Sequence, residues 1–129
     1  FGCLVGSEMC IRDRSHTDHG AVAVKSTGPY PIGVDMEPKS RLVDMGTLDQ
    51  IATEDVKKQT PYPTNLETWM AIEAVSKATG YGLSISREIS YSRGVWKLRG
   101  ESWKVDFEQR LVGGVYHLVS IARLITEAP

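Results

Sequence analysis

Small apolar and β-branched residues alternate from Gly20 through AVAVKS and stop at Thr27-Gly28-Pro29, the pattern of a strand followed by a turn. Pro31 opens a second apolar run, IGVDMEP, which Pro38 closes. Side chains alternate along a strand with period two, so Asp35 and Glu37 are expected near its carboxyl end and on the same side. From about Met45 to Lys58 the spacing of Leu48, Ile51, Ala52 and Val56 predicts one amphipathic helix, ended by Pro61 and Pro63. Thr64 with Glu67 three residues on reads as a capping box, opening a helix from Asn65 to about Thr79 with Gly80 as its stop. At roughly 100° per residue, Trp69, Glu73 and Lys77 fall within an arc of about 80° and can address one site.

Beyond Gly82 the pattern turns strand-like: Leu83 to Ile85, Ile89 to Ser92, Val95 to Leu98, Trp103 to Phe107 and Val115 to Leu124, separated by polar or glycine-rich pieces. Two strands, two helices and a run of strands predict an α+β fold with helices packed on a largely antiparallel sheet. No repeat or low-complexity segment interrupts it.

Composition narrows the function classes. Fifteen Lys+Arg against sixteen Asp+Glu leave a net charge of −1, so no overall basic field draws the chain to nucleic acid or an anionic membrane. No uninterrupted apolar stretch approaches the roughly 20 residues of a membrane-spanning helix. A cytoplasmic protein without a membrane partner is the expectation. Both cysteines, Cys3 and Cys10, lie in a segment, CLVGSEMCIRDR at residues 3–14, that resembles the translated end of a sequencing-library adapter. Residues 1–14 are therefore set aside as non-native, with 15–129 taken as part of a domain whose front is missing. Disulfide, zinc and thiol-nucleophile chemistry then have no residues to work with.

Taken singly, the polar candidates have ordinary explanations. Asp35-Met36-Glu37 can be a polar strand end, Glu73 and Lys77 a surface i,i+4 pair, and Trp69 a core anchor. His16, Asp18 and His19 read as a polar strand entry rather than a zinc site, and Trp96 and Trp103 as packing residues.

Their order changes that reading. Ser15-His16, then Gly33-Val34-Asp35-Met36-Glu37, then Trp69-x-x-x-Glu73-Ala74-x-x-Lys77-Ala78-x-Gly80-x-Gly82-Leu83, resembles the signature of the two-halved 4′-phosphopantetheinyl transferases. The resemblance runs from Ser15 to Arg123. It implies most of the second half of that family's pseudo-two-fold fold, and a transferase that moves 4′-phosphopantetheine from coenzyme A to a serine of an acyl or peptidyl carrier protein. It further implies that Asp35, Glu37 and Glu73 hold Mg²⁺, and that Glu73 takes the serine proton. Lys77 would steady the phosphate charge, and Ser15 with His16 would contact the nucleotide end of coenzyme A. The full-length protein would be a monomer, and the fragment alone inactive. Ile72 stands where many members carry lysine, and Arg87 or Lys39 are candidate replacements for its phosphate contact. The alternative is a degenerate, non-catalytic half-domain acting as a binding module.

Overall fold

A computed structural model describes residues 12–26 and 28–126. Cys3 and Cys10 of the segment set aside above, and Thr27 of the expected turn, lie outside them. Strands β1 (Arg12–Thr17), β2 (Gly20–Lys25) and β3 (Ile32–Pro38) come first. Helices α1 (Met45–Asp49), α2 (Glu54–Gln59) and α3 (Asn65–Thr79) follow, then a 3₁₀ segment (Leu83–Glu88). The chain ends in β4 (Ser90–Ser92), β5 (Val95–Leu98), β6 (Glu101–Val112) and β7 (Val115–Leu124). β1 and β2 form an antiparallel hairpin, and the other strands a five-stranded antiparallel sheet in the order β3-β7-β6-β5-β4. The fold is α+β, with the helices on one face of the sheet. Among the described residues no helix is long and apolar enough to cross a membrane.

Strand β3 is buried from Ile32 to Met36, because its two faces serve two different cores. Ile32, Val34 and Met36 join Val119 and Ile121 of β7 under the hairpin, where Val22 and Val24 cover them. The alternate residues Gly33, Asp35 and Glu37 face α3. On that side Met70, Ala74 and Val75 of the helix pack with Trp96, Leu98, Trp103 and Ala122 of the sheet into the larger core. Trp96 and Trp103 are fully buried, the packing role their strand positions predicted. Ile72 is also wholly buried, so the helix turns this position inward.

Three local expectations change. The helix anticipated over 45–58 is two short helices, because Asp44 and Thr53 each act as an N-cap: Asp44 Oδ1 accepts from the Thr47 N–H at 2.7 Å and Thr53 Oγ1 from the Val56 N–H at 3.2 Å. The apolar set survives the break, since Leu48, Ile51, Ala52 and Val56 are all buried. At α3 the Thr64 hydroxyl donates to the Glu67 carboxylate and does not cap a backbone N–H, while Gly80 closes the helix in the left-handed region at φ 77° as expected. Leu83–Ile85, which alternates like a strand, lies instead in the 3₁₀ segment. Arg87 pins that segment to the α1–α2 connection by donating to Asp49 O at 2.6 Å and Ala52 O at 3.0 Å.

The approach of α3 to β3 is closest at Gly33, where an added Cβ would collide with the Ala74 carbonyl oxygen and lie 2.7 Å from the Ala78 nitrogen. Both obstacles are backbone, so no side chain can move aside. Gly33→Ala should destabilise the fold by about 3 kcal/mol through overpacking, measured by urea unfolding. A variant as stable as the parent would show that the helix and strand are not in contact there.

Candidate functional site

Asp35 and Glu37 project from β3 toward the helix that carries Glu73 and Lys77. Asp35 is only 8% exposed, and its Oδ2 is buried without a hydrogen-bond partner. Its carboxyl is pushed from the ordinary 3.8 up to about 7, chiefly by burial and then by the negative charges of Glu37 and Glu73, with Lys77 opposing. Burial and Glu37 likewise push the Glu73 carboxyl up, against Lys77 and Arg41. The three acids therefore share one field. Among the described residues no three His, Cys, Asp or Glu side chains gather closely enough to enclose an ion by themselves.

Lys77 reaches from the helix to the edge of β3. Its ammonium donates to Arg14 O at 2.6 Å and Val34 O at 2.7 Å, and meets Asp13 Oδ2 at 3.1 Å. Two of its N–H groups are hydrogen-bonded to those carbonyls, and the contact with Asp13 is an ion pair. Among the described residues its carboxylate partner is Asp13 and not Glu73, the neighbour one turn away. The same Asp13 carboxylate accepts from the Val34 N–H at 2.8 Å, and Ser15 Oγ accepts from the Met36 N–H at 3.1 Å. β1 thus runs along the free edge of β3 and satisfies its outward N–H groups with side chains.

Asp13 and Arg14 escaped the sequence reading because they fall in the segment set aside as foreign. Arg41 escaped because residues 39–44 were passed over as a connection, and the four-residue spacing from Glu37 signals an ion pair only on a helix, which this segment is not. Its guanidinium meets Glu37 Oε2 at 2.7 Å and lies 5.4 Å from the centre of the Trp69 ring. Trp69 supports the site through that cation. The suggested substitutes for a lysine at 72 are both engaged elsewhere: Arg87 holds the α1–α2 connection, and Lys39 donates to Gln109 Oε1 at 2.7 Å.

His16 lines an open groove of about 450 Å³ with Thr17, Asp18, Glu37, Ser40 and Arg41. The groove brings the expected nucleotide contact to the same opening as Glu37. Ser15 stands behind it, its hydroxyl committed to β3. His19 packs edge-on, at 5.5 Å between ring centres, on buried His117, whose Nε2 lies 2.9 Å from Thr17 Oγ1. These contacts fasten the hairpin to β7. No family model matches this chain, and no curated protein matches it.

The raised Asp35 carboxyl sets a pH dependence with a definite sign. Between 3.8 and about 7 the folded chain binds a proton that the unfolded chain has released, so stability falls as pH rises through this window. Above it the charged, buried carboxylate costs on the order of 4 kcal/mol. Asp35→Asn should flatten that slope and be more stable than the parent at pH 8; equal slopes for parent and variant in urea unfolding from pH 4 to 8 would refute the assignment. Lys77→Met should cost about 2 kcal/mol by leaving acceptors unpaired. Faster amide exchange in β1 and along the edge of β3 would report the loosened hairpin, and unchanged exchange would dismiss the staple.

Proposed function

We propose that this chain is part of a Mg²⁺-dependent 4′-phosphopantetheinyl transferase that takes coenzyme A and an acyl or peptidyl carrier protein as substrates. The observation that carries the reading is Asp35, a buried acid with an unpartnered oxygen set between two further carboxylates, Glu37 and Glu73. Burying such a group has no structural return, and acids held against their own repulsion are characteristic of sites that receive a cation. The order of residues from Ser15-His16 through Asp35-x-Glu37 to Glu73-x-x-x-Lys77 supplies the family.

Asp35, Glu37 and Glu73 fit Mg²⁺ by donor type, since all are carboxylate oxygens; among the described residues they do not gather closely enough to hold the ion alone, so substrate phosphate and water would have to complete its coordination. When bound, the ion would neutralise charge on the coenzyme A diphosphate. Glu73, whose carboxyl is pushed up chiefly by burial, is the base that accepts the proton of the carrier serine, directly or through water. The serine oxygen forms its bond to the β-phosphorus as the bond to departing 3′,5′-ADP breaks. Lys77 contributes by position, tying β1 and β3 together behind Asp35. His16, at the groove, is available to the nucleotide end.

A non-catalytic binding module is the second reading, favoured by the engagement of Lys77 with protein oxygens and by Ile72 in the core. Calorimetry separates the two. Coenzyme A should bind the intact, full-length protein about tenfold more tightly with Mg²⁺ than with a chelator present. In a version extended by the upstream half that the resemblance implies, Glu73→Gln should keep coenzyme A binding yet lose orders of magnitude in carrier modification, read by intact mass. Metal-independent binding, or normal turnover by Glu73→Gln, defeats the transferase reading.

A further inference from the structure

A diphosphate held in the groove would need a protein cation there, and neither Lys77 nor Lys39 nor Arg87 lines it. Lys77 donates to Arg14 O and Val34 O and pairs with Asp13, along the edge of β3 and outside the groove lining. Arg87 and Lys39 are engaged elsewhere, and position 72 is a buried isoleucine. Arg41 is different. Its side chain is 37% exposed and it borders the same groove as His16 and Glu37. A guanidinium has five N–H donors in a planar fork, and the ion pair with Glu37 runs through Nη1. The Trp69 ring 5.4 Å away supports the guanidinium from a second side, so the fork is held at the groove and does not trail in solvent.

We infer that Arg41 is the phosphate-binding cation of this site, parked on Glu37 until a diphosphate arrives in the groove. The inference rests on the transferase reading for its ligand and extends it to a residue outside the resembling motifs. It carries a consequence that a purely structural ion pair does not. Glu37 is one of the three carboxylates proposed for the metal, so Arg41 competes with a divalent cation for it while favouring a bound phosphate. Removing Arg41 must therefore move the two affinities in opposite directions.

The probes are Mg²⁺ alone and inorganic pyrophosphate in the presence of Mg²⁺, each titrated calorimetrically into the version extended by the upstream half. Arg41→Ala should bind Mg²⁺ alone several-fold more tightly, because Glu37 is released, and Mg²⁺-pyrophosphate about tenfold more weakly, the usual loss for a charge-assisted hydrogen bond to phosphate. Arg41→Lys keeps the charge and loses the fork, so it should leave the Mg²⁺ affinity near the parent's and recover only part of the pyrophosphate affinity. Arg41→Gln provides the same test should the alanine variant unfold, with thermal midpoints confirming a folded chain. If the parent binds Mg²⁺-pyrophosphate and Arg41→Ala matches it, or if both affinities fall together, the role of Arg41 is overturned while the site stands. If the parent binds no pyrophosphate with Mg²⁺, the transferase reading falls and takes this inference with it.

Discussion

The contact of α3 with β3 at Gly33 is the constraint on which the site depends. Because Gly33 has no side chain, the helix backbone settles directly on the strand, and the next two outward positions on that face, Asp35 and Glu37, come under the helix residues Glu73 and Lys77. A helix standing further off would admit water between them and relieve the carboxylates. The close approach makes Asp35 a buried acid. It also lets the Lys77 side chain reach across β3 to β1.

Electrostatics and stability pull against one another here. Asp35 has no hydrogen-bond partner for one oxygen, and the neighbouring acids raise its carboxyl further, so the charged form is a burden on the fold at neutral pH. The surrounding packing carries it: Trp96, Trp103, Met70 and Leu98 are buried beside α3 and against the sheet. Retaining so costly a cluster in an otherwise well-packed layer lowers the stability of the fold at neutral pH.

The free edge of β3 poses a separate problem. Its outward N–H groups would template pairing with another chain, and they are satisfied by Asp13 and Ser15 side chains, with the hairpin laid over the opposite face of the strand. Lys77 completes the closure from the helix side. The fastening recurs at the far end of β1, where Thr17 meets buried His117 of β7. The hairpin thus belongs mechanically to the site, although it contributes none of the three acids.

Much of the architecture was legible in the chain because it follows from local periodicity and punctuation. The alternation around Asp35, the stop at Gly80 and the strand Val115–Leu124 depend on residues within a few positions of one another. The errors lie where distant partners decide. Thr53 was free to cap or to continue a helix, and it caps α2, with Leu48 and Val56 on either side of the break buried in one core. Leu83–Ile85 alternates like a strand, but no strand lies beside it and Arg87 ties it to carbonyls more than thirty residues earlier. At the site, the sequence by itself determined the three acids, their order and the face of β3 that two of them share. Tertiary structure alone decided that Lys77 closes on Asp13, that Arg41 reaches Glu37 over Trp69, and that Asp35 is desolvated. Those outcomes depend on which groups are brought together across the fold and how much water is left between them, and a period of two or of 3.6 carries no information about either.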